Sequence, residues 1–244
     1  VSDHELAAEL ATGAGELLLR VRADFADSPA VERKAQGDKR SHDFLMLALE
    51  RTRPADAVLS EEGFDNPERL RADRVWIVDP LDGTREFSEP DREDWAVHVA
   101  LWERGELVAG AVALPAQGVT LATPDVTPPA DNSGPPRILV SRTRPPAAAL
   151  QVRDALGGVL VEMGSAGAKV AAVVQGRADV YVHSGGQYEW DSAAPVAVAR
   201  AAGLHTSRVD GAPLRYNRPD PLLPDVLVCR HRYAEAVIAA VGSV

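Results

Sequence analysis

The chain has 244 residues, 45% of them apolar and 25% charged, and a single cysteine, Cys229. That length can bury a sizeable core without help from disulfides or a structural metal, and one cysteine excludes an intramolecular bridge. Thirty-six acidic residues against 26 basic ones leave a formal net charge of −10. This excludes capture of a nucleic-acid polymer by a general positive field, so any anionic ligand must meet a locally positive site.

No apolar stretch approaches the ~20 residues that span a bilayer. The acidic opening Val1-Ser2-Asp3-His4-Glu5 resembles neither a secretory signal nor a transit peptide. Both point to a cytoplasmic protein with no membrane partner, and Cys229, inside the apolar run 226–229, reads as a buried strand thiol.

Leu6, Leu10, Ala14, Leu17 and Val21 recur at helical spacing and predict an amphipathic helix over 4–25. A second helix is expected from Asp38 or Ser41 to Arg53, stopped by Pro54. Runs at 57–59 and 75–78 read as strands. The alternating segment 95–102, the turn Arg104-Gly105-Glu106 and the run 107–114 form a hairpin signal. Residues 123–137, rich in Pro, Asp, Asn, Ser and Gly, read as a linker or crossover loop. Strands are then expected at 138–140, 159–161, 180–182 and 226–228, with helices at 147–156, 166–175, 192–202 and 233–241. The pattern is an α+β unit over 1–130 followed by an α/β unit over 131–244.

The sharpest feature is Val75-Trp76-Ile77-Val78-Asp79-Pro80-Leu81-Asp82-Gly83-Thr84, a buried strand running into a turn with two carboxylates, a glycine and a hydroxyl. Asp82 or Thr84 could simply cap the next helix. Alternatively, Asp79, Asp82 and the Leu81 carbonyl offer oxygens to a hard cation such as Mg²⁺. Gly83 and Thr84 would then sit at a helix N-terminus suited to phosphate. Two further acidic elements leave strand ends, Ser60-Glu61-Glu62-Gly63 and Glu189-Trp190-Asp191-Ser192. Alone, the first reads as a solvated pair and Asp191 as an N-cap.

Taken together, Ser60-Glu61-Glu62, Asp79-Pro80-Leu81-Asp82-Gly83-Thr84 and Trp190-Asp191-Ser192-Ala193-Ala194 resemble the lithium-sensitive, magnesium-dependent inositol monophosphatase superfamily. The continuation Asp82-Gly83-Thr84-Arg85-Glu86-Phe87, with Glu189-Trp190-Asp191, is similar to the CysQ-type 3′(2′),5′-bisphosphate nucleotidases. Those enzymes remove the 3′-phosphate of 3′-phosphoadenosine 5′-phosphate, a by-product of sulfate assimilation. The resemblance implies a layered αβαβα sandwich and two or three Mg²⁺ ions. Glu61, Asp79 and the Leu81 carbonyl would hold the first ion, and Asp79, Asp82 and Asp191 the second. A third would lie between Glu61 and Asp38, and Thr84 with Asp38 or Glu61 would activate water. As a plain alternative, Asp38 caps its helix.

Gly83, Thr84, Arg85, Ser141, Arg142, Ser165 and Lys169 are the candidates for the substrate side, with Lys169 and Arg142 toward a second phosphate or the sugar. Tyr188 and Trp190 could flank an adenine or belong to the core. Inositol monophosphate and fructose 1,6-bisphosphate remain alternative substrates on the same scaffold. A non-catalytic nucleotide-binding protein is a further alternative. The expected partner is a small phosphorylated nucleotide or sugar, and the resemblance admits monomers and homodimers alike.

Overall fold

A computed structural model describes residues 1–142 and 145–242. Two helices open the chain, α1 (Asp3–Asp24) and α2 (Ala30–Thr52). Ser2 starts α1 with a capping box: its hydroxyl accepts the Glu5 N–H while the Glu5 carboxylate accepts the Ser2 N–H. A first mixed sheet follows, with β1 (Ala57–Ser60), β2 (Arg74–Asp82), β3 (Ala96–Glu103), β4 (Glu106–Leu114) and β5 (Val119–Ala122) side by side in that order. The single-turn helix α3 (Thr84–Ser88) leaves the end of β2.

After the Pro-rich segment come β6 (Arg137–Ser141), α4 (Ala147–Leu156), β7 (Val159–Met163), α5 (Ala166–Val174), β8 (Val180–Tyr188), α6 (Glu189–Ala201), β9 (His205–Ser207), β10 (Leu222–Cys229) and α7 (His231–Val241). Their strands form a second sheet in the order β7-β6-β8-β10-β9. Helices α1 and α2 cover one face of the first sheet. Helices α5 and α6 fill the space between the sheets, and α4 and α7 cover the outer face of the second. The architecture is a layered αβαβα sandwich.

Burial follows from the layering. Strand β2 is covered on both faces, so every residue from Val75 to Asp82 is buried, Asp79 and Asp82 included. That is why it reads as a continuous apolar run rather than an alternating one. Gly110 on β4 lets α6 approach closely, since a Cβ there would lie 2.6 Å from the Ala197 Cβ. Leu59, Val75 and Ile77 of the first sheet share one core with Leu139, Tyr181 and Val226 of the second.

The second helix departs from expectation. It starts at Ala30, just after Pro29, not near Asp38. Residues 31–36 are mostly good helix formers with nothing to break the run. Asp38 is therefore mid-helix and caps nothing. The short strands β5 and β9, each paired along one edge of a sheet, lay outside the sequence expectations.

Asp179 anchors the crossover segment in the second half. Fully buried, it accepts from the Arg137 backbone N–H (2.9 Å), Arg137 Nε (3.0 Å), Arg230 Nε (2.9 Å) and Asn132 Nδ2 (3.1 Å). Arg230 also donates to the carbonyls of Pro129 and Ala130. Burial alone would raise the Asp179 pKa, but these donors hold it below the ordinary carboxylate value. Its stabilising contribution is thus complete above the unfolded-state pKa and fades as pH falls toward the lower folded one. Asp179→Asn, which leaves the buried Arg230 without its countercharge, should cost about 3–5 kcal/mol in urea unfolding at pH 7. The loss should shrink as the pH of the assay drops below 4.

Candidate metal centre

Strand β2 ends in the turn Asp79-Pro80-Leu81-Asp82, and α6 begins beside it. Asp79, Asp82 and Asp191 each place a carboxylate oxygen within 4.8 Å of the others. Each carboxylate is also tied to protein. Asp79 Oδ1 accepts the Leu81 N–H at 3.0 Å, and Asp191 Oδ2 accepts the Tyr188 N–H at 2.6 Å. Asp82 is held hardest. Its Oδ2 accepts the Ser165 hydroxyl (2.5 Å) and the Gly167 N–H (2.6 Å), and its Oδ1 the Ala166 N–H (3.2 Å).

Asp191, read alone as an N-cap and with the other motifs as a metal ligand, does not cap its helix: α6 starts two residues earlier at Glu189. Asp191 occupies the third position and reaches back to the Tyr188 N–H. Pro195, four residues on, has no N–H to donate to the Asp191 carbonyl.

The electrostatics follow from burial and crowding. Loss of water, then the charges of Glu61, Asp82 and Asp191, push Asp79 well above the carboxylate range. Burial and Asp82 lift Asp191 to about 7. Burial would raise Asp82 as well, but His98, Ser165 and the Gly167 N–H bring it to about 2. Three oxygen donors, two of them reluctant to ionise together, suit a hard divalent cation, which removes the mutual repulsion. Asp191 Oδ1 accepts from no donor among the described residues, and Asp82 Oδ1 has one long bond, so both can turn lone pairs to an ion.

Glu61, after β1, stands outside that trio but interacts with Asp79. Its side chain is exposed, yet the surrounding wall, with Asp82, Glu62 and Asp38, raises its pKa.

Helix α2 supports the turn from the other side. A Cβ at Gly37 would lie 2.7 Å from Phe87 Cε1 and 2.9 Å from Leu81 Cδ2, so the glycine lets the helix touch the turn. One residue on, Asp38 Oδ1 lies 3.5 Å from the Thr84 hydroxyl, which is also 3.2 Å from the Leu81 carbonyl. Burial, then the Glu62 charge, raises Asp38 to about 6. The Ser41 hydroxyl donates to the Pro80 carbonyl at 2.6 Å.

The remaining candidates fall into place unevenly. Gly83 is in the left-handed region at φ 83°. Thr84 opens only one helical turn, so its dipole offers little to a phosphate. Arg85 is exposed and pairs with Glu89. Ser141 ends β6. Arg142 is held by Glu86 (3.3 Å) and by both Glu89 oxygens (3.0 and 3.1 Å). Ser165, expected toward substrate, commits its hydroxyl to Asp82. Lys169 is buried and donates to the carbonyls of Gly164 (3.0 Å) and Met163 (3.4 Å), bracing the loop that carries Ser165. Tyr188 and Trp190 stack on each other with centroids 4.7 Å apart, leaving no gap between them for an adenine.

His98, on β3, was missed. It pairs in register with Asp79 and lies 3.2 Å from Asp82. The available signal was a histidine between Val97 and Val99, on a strand expected to alternate.

The inositol monophosphatase family model matches residues 3–128 and 137–244. The 3′-phosphoadenosine 5′-phosphate phosphatase of Mycobacterium tuberculosis is 53% identical over 239 residues, covering 94% of this chain and 89% of the relative. The 3′(2′),5′-bisphosphate nucleotidase CysQ of Escherichia coli O157:H7 is 31% identical over 233 residues, covering 88% of this chain and 94% of the relative. The crystal structure of CysQ from Bacteroides thetaiotaomicron matches with a TM-score of 0.77 at 27% identity, covering 93% of this chain and 97% of that one. With its family pattern running through both sheets and every acidic signature in place, this chain belongs to the inositol monophosphatase family.

Proposed function

We propose that this chain is a Mg²⁺-dependent phosphoric monoester hydrolase that uses water to remove the 3′-phosphate of 3′-phosphoadenosine 5′-phosphate, giving AMP and inorganic phosphate. The observation that carries the chemistry is the meeting of Asp79, Asp82 and Asp191 beside the Thr84–Asp38 contact. The choice of substrate rests on the names of relatives at 53% and 31% identity.

Asp79, Asp82 and Asp191 would hold one ion, and Glu61, Asp79 and the Leu81 carbonyl another. Bound cations offset the charge of a phosphate dianion and make a water acidic enough to attack near neutral pH. The protein's own part is to position and deprotonate. The Thr84 hydroxyl can donate to Asp38 while its oxygen accepts from a water. Asp38, with its pKa near 6, is an anion at neutral pH yet basic enough to take up a proton. Arg142 supplies a planar fork for a second phosphate. Glu89, at the exposed rim, is the partner such a phosphate would displace.

Phosphate release should be fast with 3′-phosphoadenosine 5′-phosphate and much slower with inositol monophosphate or fructose 1,6-bisphosphate. It should stop in chelator and fall with lithium. Equal rates on all three compounds would remove the substrate assignment, and full activity in chelator the metal assignment.

Asp79→Asn keeps an oxygen for the Leu81 N–H but removes a charge. It should abolish turnover and, in chelator at pH 7, melt no lower than wild type, because repulsion in the trio is relieved. The stabilisation that added Mg²⁺ gives the wild type should vanish. Differential scanning calorimetry with and without Mg²⁺ reads both effects.

Arg142→Ala should raise the KM for the bisphosphate about tenfold to a hundredfold, the worth of a charged hydrogen bond. Hydrolysis of 3′-AMP, which lacks the second phosphate, should change little. Parallel Michaelis curves on the two nucleotides decide it.

A further inference from the structure

His98 reaches every segment that carries a ligand of the carboxylate trio. Its Cα pairs in register with Asp79 across the antiparallel β2–β3 ladder. Its Nδ1 lies 3.0 Å from the carbonyl of Trp190, the residue before Asp191. A carbonyl only accepts, so Nδ1 carries the hydrogen. On the other side of the ring, Nε2 lies 3.2 Å from Asp82 Oδ2, off the line of a straight hydrogen bond; this contact is attractive with a hydrogen on Nε2 as well, an imidazolium beside a carboxylate. The side chain is 1% exposed, so neither nitrogen can turn to solvent instead.

The space for the ring is built in. A Cβ on Gly167 would lie 1.9 Å from Nε2, far inside contact distance, so only a glycine fits beside this imidazole. The Gly167 N–H in turn donates to Asp82 Oδ2, the oxygen that Nε2 faces. One oxygen thus collects Ser165, Gly167 and His98, while the same ring pins the turn that opens α6. A merely space-filling residue would touch these segments without bonding the backbone of one and setting a ring nitrogen against the carboxylate of another.

We propose that His98 is a positioning residue for the cation site: one imidazole fixes the spacing between Asp82 and Asp191, and with it the affinity for the ion they share with Asp79. This rests on the metal reading above. Groups that orient ligands in this way typically change metal affinity tenfold to a hundredfold when removed. The ion held by Glu61, Asp79 and the Leu81 carbonyl does not use this spacing and should be little affected.

The test is Mn²⁺ binding to the chelator-treated protein, followed by electron paramagnetic resonance of the free ion, with circular dichroism to confirm folding. His98→Asn keeps a donor near the Nδ1 position and loses the Asp82 contact. It should weaken one class of Mn²⁺ site about tenfold to a hundredfold and leave the other intact. Asp82→Asn should weaken the same class. His98→Gln, which returns a donor near the Nε2 position, should recover part of the loss. Should His98→Asn fail to fold, His98→Leu, with neither nitrogen, is read in the same way. A variant that melts lower yet binds Mn²⁺ like wild type would overturn the proposal and leave the metal reading standing. Wild-type protein that binds no Mn²⁺ would remove both.

Discussion

Three carboxylates that meet within 4.8 Å in a buried place repel one another, and the rest of the structure accommodates that fact. At an effective dielectric near 20, each ionised pair at this spacing costs about 3–4 kcal/mol. A domain's whole stability is only about 5–15 kcal/mol. Without a cation the trio therefore cannot stay fully ionised cheaply, and the raised Asp79 and Asp191 are the result. Much of what keeps the groups together is backbone. The Leu81 and Tyr188 N–H groups and the N–H groups at the start of α5 each hold one carboxylate from outside. Free lone pairs are left toward the common centre.

The site is a product of the layering more than of either sheet. Asp79 and Asp82 come from the first sheet and Asp191 from the helix between the sheets. The loop that grips Asp82 belongs to the second half of the chain. That loop is itself braced at both ends. Lys169 holds the carbonyls of Met163 and Gly164, and Asp94, from the segment before β3, accepts the Gly164 N–H at 2.5 Å. Ser165 sits at φ 41°, a strained value for a residue with a side chain. It is kept there by a hydroxyl that donates to Asp82 while accepting from Ala168. A cation at the trio would fasten the two halves at the point where they already meet.

Much of this was legible because it is local. The run 75–84 announces a buried strand that ends in carboxylates, and the Pro-rich stretch marks a linker or crossover between the two sheets. The parts that were not legible depend on partners far away in sequence. Asp38 was one of two expected helix starts, and Gly37 stands just before it. In the fold that glycine is mid-helix and exists for contact with Leu81 and Phe87, 44 and 50 positions further on. Ser165 and Lys169 looked like ligand-facing polar groups because a sequence does not show that Asp82 and two carbonyls already occupy them. His98 was indistinguishable from a core residue until the strand register placed it opposite Asp79. Tyr188 and Trp190, two apart, could have been flanking aromatics, but the turn into α6 folds one onto the other.

The net charge of −10 raises the question of how a doubly phosphorylated molecule is drawn in at all. Some cations are committed elsewhere: Arg137, Arg208 and Arg230 are locked to buried aspartates. Arg142 is different in kind. It is shared between Glu86, buried, and Glu89, at the rim and held by Arg85 as well. These contacts bring Glu89 down to about 2, so it stays ionised across the working pH range. An incoming phosphate dianion carries more charge than the carboxylate it would replace, and it can accept the same two-pronged contact. A monophosphate seated at the trio alone has nothing to offer Arg142, whose present partners already satisfy it. With Arg142 as the proposed seat of the second phosphate, selectivity would follow from an exchange of anions at one guanidinium, and a protein acidic overall would need no wide positive field to achieve it.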